Sequence, residues 1–106
     1  MFARNVSFHL KSNMLSDYNR AFDKEILPLL RKQHGFRDEI TFTSPGGNDV
    51  TAISLWDNKA SSEAYNSDAY PEVLKTIARF IEGTPRVQTS DVVNSTFHKI
   101  AVLAVA

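Results

Sequence analysis

Residues 45–49, with the sequence PGGND, give the strongest turn signal in the chain. The two glycines supply positive backbone φ angles, and the proline cannot continue a strand. The flanking residues 36–44 and 50–57 are rich in β-branched and apolar side chains, so the pattern predicts an antiparallel hairpin. The fold must therefore contain an antiparallel sheet that includes this pair of strands.

Residues 2–11 precede the hairpin, and their alternation of side chains predicts a strand. Its two predicted faces are Phe2, Val6, Phe8 and Leu10 on one side, and Ala3, Asn5, Ser7 and His9 on the other. Residues 15–32 then carry apolar side chains at three- and four-residue steps, which predicts a helix. Pro28 should disturb this helix, and Gly35 should end it.

The rest of the chain repeats the order of helix and strand. Residues 59–66 predict a short helix, and a second helical piece should begin at Pro71 and end at Gly83. Residues 86–94 predict a fourth strand, while residues 96–106 predict either its extension or a fifth strand.

This order predicts a single α+β domain over residues 1–106, with the ferredoxin-like βαββαβ arrangement and an antiparallel sheet. Both helices would cover one face of the sheet. By strand alternation the open face is predicted to carry Asn5, Ser7, His9, Thr41, Ala52, Ser54 and Trp56. Such a mixed face indicates that a second copy covers it, so we expect a homodimer in which two sheets form a barrel. An apolar C-terminal strand would cross over and close the sheet edge.

Composition narrows the possible partners. The chain has 12 basic and 12 acidic residues, and this neutral balance argues against binding to nucleic acid. The absence of cysteine excludes disulfides and thiolate chemistry, and it fits a reducing compartment. Residues 1–5 resemble no signal peptide, and the apolar residues 100–106 are too few to span a bilayer. We therefore expect a cytoplasmic protein with no membrane partner.

Two segments, residues 27–36 (LPLLRKQHGF) and residues 53–65 (ISLWDNKASSEAY), resemble the antibiotic biosynthesis monooxygenase (ABM) family. This family belongs to the dimeric α+β barrel superfamily, and its order of strands and helices matches nearly the whole chain. The resemblance implies an ABM-like dimeric barrel domain. The superfamily includes cofactor-independent oxygenases of quinol-like aromatics, haem-degrading oxygenases, isomerases and decarboxylases.

The haem-degrading branch has an Asn on the first strand, a Trp at the end of the third strand and an iron-ligating His on the second helix. Asn5 and Trp56 match the first two positions, but no histidine lies between Trp56 and Gly83. The three histidines of the chain also lack the spacing of a metal site. We therefore expect no cofactor and no metal.

The resemblance implies a cofactor-independent monooxygenase, an oxidoreductase acting on a small aromatic or quinol-type metabolite in a cavity between sheet and helices. Such a pocket must stabilise a substrate anion that passes an electron to dioxygen, which requires donors at the developing oxyanion. The predicted catalytic residues are Asn5, His9 and Trp56: the first two would orient or deprotonate the substrate, and Trp56 would stack on it. The predicted substrate-binding residues are Ser7, Ser54, Tyr65 and Tyr70.

Each candidate also has a structural interpretation. His9 would then be a surface or interface histidine, Trp56 a core aromatic, and Asn5 a partner for a backbone group across the dimer. On this interpretation the protein is a non-catalytic dimeric barrel that binds a small ligand or is associated with stress. An isomerase or a decarboxylase on the same scaffold is a third alternative.

Overall fold

The predicted hairpin is present in the structure, a computed structural model that describes residues 1–100. The elements follow in the order β1 (Phe2–Leu10), α1 (Leu15–Ala21), a π-helical turn (Phe22–Ile26), α2 (Leu27–Arg31), β2 (Phe36–Thr43), β3 (Asp49–Trp56), α3 (Lys59–Asp68), α4 (Tyr70–Ile77) and β4 (Ile81–Asp91). The four strands are antiparallel and lie in the order β2-β3-β1-β4. This is the ferredoxin-like arrangement, so the predicted α+β fold class is confirmed.

The predicted first helix is continuous but irregular in its middle. The backbone N–H of Leu27 donates to the carbonyl of Phe22, five residues earlier, which widens one turn into a π-helix. Pro28 has no N–H to donate and lies at the start of α2, so regular helix resumes only there. α2 ends at Arg31 with Lys32 as its C-cap, so the prediction that Gly35 ends the helix is wrong. Gly35, with a φ of 82°, lies in the turn that leads into β2.

β4 begins earlier than predicted, because α4 ends at Ile77 and the chain turns into the strand within a few residues. Gly83 was predicted to end the helix but lies inside β4 with a φ of 73°. The pairing between β4 and β1 shifts in register between Ser7 and His9. A positive-φ glycine is well suited to such a bulge.

The prediction of a strand over residues 96–106 is wrong where it can be compared, since residues 96–100 form no strand. Residues 101–106 lie outside the described part of the chain. No helix within residues 1–100 is long and apolar enough to cross a membrane.

The register of β1 and β3 decides which side chains face the helices. Directly opposite residues in an antiparallel pair point to the same face. Trp56 pairs with Phe2, and Ser54 pairs with Arg4, so all four side chains face the helices. The same register applies to Ala52, which pairs with both Val6 and Thr41. The predicted open-face position of Thr41, Ala52, Ser54 and Trp56 is therefore wrong.

The open-face position of Asn5, Ser7 and His9 is confirmed, because these residues alternate with the helix-facing residues of β1. Aliphatic and aromatic side chains of β2 and β3 accompany them: Ile40, Phe42, Ile53 and Leu55. The core fills the space between the other face and the helices. Its most deeply buried large side chains are Trp56, Tyr18, Leu10 and Val50.

Candidate functional site

A narrow cavity lies between the helix-facing side of the sheet and the helices, where the sequence predicted one. Its volume is about 40 Å³, room for a few water molecules. Ligand pockets usually measure about 300–1,000 Å³. The apolar and aromatic lining consists mainly of Val6, Phe8, Tyr18, Phe22, Ile26, Leu30, Tyr65, Tyr70, Val73 and Ile77. Arg4, Glu39 and Ser54 supply the other polar side chains of the lining.

Arg4, Ser54 and Glu39 form one row across three neighbouring strands. Ser54 on β3 pairs with Arg4 on β1 and with Glu39 on β2. Neighbouring strands lie about 4.8 Å apart, so the backbones of Arg4 and Glu39 are roughly 10 Å apart. The cavity therefore has a cation and a carboxylate at opposite ends of its floor, with a hydroxyl between them. We call these three residues the polar row.

Arg4 is the most unusual member of the polar row, because its side chain is charged and only 2% of the residue is exposed. One guanidinium nitrogen, Nη2, donates to Oδ1 of Asn66 at 2.8 Å. The guanidinium carbon lies 4.0 Å from the centre of the Tyr70 ring and 5.2 Å from that of Tyr65. No carboxylate within residues 1–100 forms an ion pair with Arg4.

Glu39 lies at the other end of the polar row and is half-buried. Its two carboxylate oxygens accept from the hydroxyl of Thr41 at 3.0 and 2.7 Å. Burial raises the pKa of Glu39 above its ordinary value, and the hydrogen bond from Thr41 acts in the opposite direction. A carboxylate with a raised pKa at the edge of a cavity is suited to accept and return a proton.

Tyr65 and Tyr70 line the cavity and are buried, as expected for substrate-binding candidates. Burial raises the pKa of Tyr65 to about 12. Burial also raises the pKa of Tyr70, against the effect of the nearby Arg4 charge. Both phenols therefore keep their protons near neutral pH. The buried hydroxyl of Tyr70 has no hydrogen-bond partner among residues 1–100, so it remains available as a donor.

Trp56 does not line the cavity but packs behind Tyr65, with the ring centres 4.9 Å apart and the planes at 29°. Its indole N–H donates to the hydroxyl of Ser54 at 2.8 Å. Phe36 also packs against the indole in a T-shaped arrangement, with ring centres 5.5 Å apart. Trp56 is fully buried, so its contacts hold Tyr65 and Ser54 in place.

The other three candidates lie on the opposite side of the sheet, so the predicted site residues are not brought together. The hydroxyl of Ser7 faces that of Thr51 at 3.5 Å. The Oδ1 atom of Asn5 is buried and has no partner among residues 1–100. His9 is exposed and lies 2.7 Å from Oδ1 of Asp49 through its Nδ1 atom.

The environment of His9 favours its protonated form. The hydrogen bond with Asp49 is the main cause that raises the pKa of His9, and Glu82 adds to it. A histidine that holds its proton is a poorer general base, so the position of His9 favours a surface role.

A larger groove, of about 430 Å³, lies between α3 and β4. Lys59, Glu63, Asn66 and Thr89 are among its lining residues. Arg4 lines both this groove and the cavity, so its side chain lies where the two spaces approach each other. Within residues 1–100 no cluster of three or more histidine, aspartate or glutamate side chains could hold a metal ion.

The sequence interpretation missed Arg4 and Glu39. Strand alternation already placed Arg4 between Phe2 and Val6 on the buried face, but arginine is rarely buried without a partner. Glu39 follows Asp38, and two adjacent acidic residues are typical of a solvated surface. On a strand such neighbours point to opposite faces, and that rule could have identified Glu39.

Comparison with solved structures supports the fold predicted from the resemblance. A putative antibiotic biosynthesis monooxygenase from Bordetella bronchiseptica superposes with a TM-score of 0.75 at 14% identity, covering 88% of this chain and 97% of that one. SnoaB, a cofactor-independent oxygenase from Streptomyces nogalater, gives 0.73 at 9% identity, covering 90% and 95%. A monooxygenase from the gene ActVA-Orf6 of Streptomyces coelicolor, in complex with nanaomycin D, gives 0.73 at 14% identity, covering 98% and 92%.

The resemblance to the antibiotic biosynthesis monooxygenases is thus confirmed at the level of the fold. No protein-family model matches the sequence, and no curated protein matches it. The shared fold alone therefore assigns no activity to this chain.

Proposed function

We propose that this protein is a cofactor-independent monooxygenase that binds a small aromatic or quinol-type metabolite in the cavity between sheet and helices. The observation that carries the proposal is the position of Glu39, a half-buried carboxylate at one end of a cavity whose lining is mainly apolar and aromatic. Once its walls move apart, such a site can take a flat ring and remove a proton from it. The fold shared with oxygenases such as SnoaB supports the proposal.

The proposed reaction uses the substrate as its own reductant. Glu39 accepts the proton of an acidic ring hydroxyl or of an activated ring carbon, which leaves an electron-rich anion. One electron passes from this anion to dioxygen, and combination of the resulting radicals forms a carbon–oxygen bond. Glu39 returns its proton to the peroxide anion. Loss of the remaining proton from the oxygenated carbon then breaks the O–O bond, which leaves one oxygen atom in the product as a carbonyl and releases the other, with both protons, as water. All four electrons that reduce dioxygen come from the substrate, so the balance requires no bound cofactor.

The predicted residues divide into two groups in this proposal. Tyr65, Tyr70 and Ser54 line the cavity and would contact the ring, while Trp56 would act through Tyr65 and Ser54. The catalytic roles of Asn5 and His9, and substrate binding by Ser7, stay predictions. A ligand in the cavity has the sheet between itself and these residues.

The test is oxygen consumption by the purified protein with a panel of naphthalene and anthracene hydroquinones. We expect uptake above the rate of spontaneous oxidation, and incorporation of one labelled atom when ¹⁸O₂ is supplied. Glu39→Gln should lower the rate by about 10²-fold or more, since this is the usual contribution of a positioned proton acceptor.

The matched control is Asp38→Asn, which removes the neighbouring carboxylate from the opposite face of the same strand. Its rate should stay close to that of the unaltered protein. Equal rates for Glu39→Gln and the unaltered protein would refute the proposed role of Glu39. No enzyme-dependent uptake with any hydroquinone would refute the oxygenase itself.

A non-catalytic ligand-binding protein is the second candidate, because the mainly apolar and aromatic lining of the cavity suits binding as well as turnover. A space of about 40 Å³ admits an aromatic molecule only after its walls move. A protein of this kind should bind flat aromatics and release them unchanged. Recovery of unoxidised ligand from a saturated complex under air would select this candidate.

We also propose that the protein is a cytoplasmic homodimer that buries the open face of the sheet. Ile40 and Phe42 are 47% and 52% exposed on that face, and the Oδ1 atom of Asn5 lacks a partner there within residues 1–100. A second sheet would bury the apolar side chains. Light scattering should give twice the chain mass for the unaltered protein and a lower mass for Phe42→Asp. Val87→Asp, an exposed position on the helix-facing side, should leave the dimer intact.

A further inference from the structure

Arg4 carries a charged side chain in a buried position, and residues 1–100 offer it no anionic partner. Its guanidinium is planar and carries five N–H donors and no acceptor. Only 2% of the residue is exposed, and the described residues 1–100 provide no carboxylate for an ion pair. Burial of an unpaired charge is unfavourable, so a chain keeps one only where something compensates for it.

The protein compensates for this charge only in part. The rings of Tyr65 and Tyr70 stabilise the cation through their faces. Of the five N–H groups of the guanidinium, one donates to an acceptor within residues 1–100, the side chain of Asn66. The guanidinium lies over the ring of Tyr70, whose buried hydroxyl is itself without a partner in the same part of the chain. An anion bound here would accept hydrogen bonds from both residues.

We propose that Arg4 binds the oxyanion of an aromatic ligand, a carboxylate or an ionised phenol, and thereby determines the substrate class of the site. Tyr70 donates a second hydrogen bond to the same oxyanion. The proposal rests on the proposed function for the location of the ligand in the cavity, but not for the oxidation of that ligand.

The position of Arg4 also explains how the small cavity could admit a ligand. Arg4 lines both the cavity of about 40 Å³ and the groove of about 430 Å³. A shift of its side chain would join two spaces that together match an ordinary ligand pocket. The ring of the ligand would then lie in the cavity, and its oxyanion would lie at the boundary with the groove.

Other charges in the groove do not replace Arg4. Lys59 is exposed and lies 3.7 Å from Glu63 on the same helix, so an acidic neighbour already balances its charge. Among residues 1–100, Arg4 is therefore the buried cation that an anionic group entering from the groove would contact. Bidentate geometry is available to a carboxylate at this position because the guanidinium is planar.

The test measures binding of 2-naphthoate and of its neutral isostere 2-naphthamide by titration calorimetry under nitrogen. The two probes share the same ring and differ in charge. We expect the unaltered protein to bind 2-naphthoate at least about tenfold more tightly, the usual effect of one charge-assisted hydrogen bond. Equal affinity for both probes, or no saturable binding of 2-naphthoate, would overturn the proposal.

Arg4→Met should abolish the preference for 2-naphthoate, because the variant keeps the bulk of the side chain and removes the charge. Arg4→Lys should retain part of the preference, because it keeps the charge but not the planar donors. The matched control is Arg79→Met, which removes a guanidinium that lies 5.0 Å from the Phe80 ring on the protein surface. This control should bind both probes as the unaltered protein does.

Melting temperature separates recognition from a purely structural role. Replacement of a buried unpaired charge by an apolar side chain is commonly neutral or stabilising, so Arg4→Met should melt no lower than the unaltered protein. A lower melting temperature in Arg4→Met together with an unchanged probe preference in the same variant would show a structural residue and overturn the proposal.

Titration with 2-naphthol over a range of pH distinguishes the two sources of the oxyanion, an ionised phenol and a carboxylate. If a phenolate is the ligand chemistry, affinity for 2-naphthol rises as the hydroxyl ionises, and Arg4→Met removes this rise. If a carboxylate is required, 2-naphthoate binds with Arg4-dependent preference and 2-naphthol does not. Arg4-dependent binding without oxygen uptake from any hydroquinone would retain this inference and refute the oxygenase. Oxygen uptake that is unchanged in Arg4→Met would refute this inference and retain the oxygenase.

Discussion

Ser54 and Trp56 were both predicted to contact a ligand, yet the structure joins them to each other. The indole N–H of the fully buried Trp56 donates to the Ser54 hydroxyl at 2.8 Å. Ser54→Ala removes the acceptor and leaves the N–H buried without a partner. An unsatisfied buried donor costs about 1–3 kcal/mol, so we expect Ser54→Ala to lower the free energy of unfolding by roughly that amount.

Trp56→Phe removes the donor and part of the ring, and it leaves Ser54 with no partner to lose. Truncation of a buried tryptophan to alanine costs about 3–5 kcal/mol, and Phe keeps much of the packing, so we expect a loss of roughly 1–3 kcal/mol. In the Trp56→Phe background, Ser54→Ala should then cost little more. The double variant should be more stable than the sum of the single effects predicts, by about 1–2 kcal/mol.

The assay is urea unfolding followed by far-ultraviolet circular dichroism, because Trp56 is the only tryptophan and its fluorescence is lost in two of the four proteins. Domains of this size have a total stability of about 5–15 kcal/mol, so all four proteins should remain folded in buffer. Additivity within about 0.5 kcal/mol would refute the reasoning, since it would mean that the hydrogen bond carries no coupling energy.

Two further predictions concern the frame around the site. Gly35→Ala should destabilise the protein by at least about 1 kcal/mol more than Gly83→Ala in the same unfolding assay. Both positions have positive φ, but an added Cβ overlaps the Ser61 side chain at Gly35 and meets nothing at Gly83. Equal losses would show that the close approach to Ser61 is not a real constraint. His9 should titrate above its ordinary pKa of 6.5 in an NMR experiment, and Asp49→Asn should return it towards that value. Because the folded-state pKa is raised, the stabilisation is fully present below about 6.5 and is lost as pH rises through the folded value. A pKa unaffected by Asp49→Asn would contradict this assignment.

The order of the elements could be predicted from local signals that the tertiary structure does not override. The PGGND turn, the alternation of β1 and the helical periodicity of residues 15–32 each require only neighbouring residues to be recognised. The start of β4 was harder to predict, because Gly83 is compatible with a helix end and with a strand bulge. The pairing with β1 selects the bulge, and that pairing is a long-range property of the sheet.

Alternation alone could not predict which side chains of β3 face the helices, because both faces of this strand carry apolar side chains. Ile53 and Leu55 are as apolar as Val50 and Trp56, which lie on the other face. A one-residue change in register reverses every side chain, so the pattern gives no preference when both faces are apolar. A sheet with two apolar faces is itself the property expected if a second copy covers the open face.

Because side chains alternate along β1, substitutions at neighbouring positions of this strand test different parts of the proposal. Arg4 and Asn5 are neighbours in sequence, but Arg4 faces the cavity and Asn5 faces the proposed dimer interface. A change at Arg4 should alter ligand affinity and leave the chain mass of the assembly unchanged. A change at Asn5 that lowers activity must act through the interface if the ligand lies in the cavity, so it should also weaken the dimer. Loss of activity in Asn5→Ala with an intact dimer would instead require a ligand on the open face, and it would move the site to the other side of the sheet.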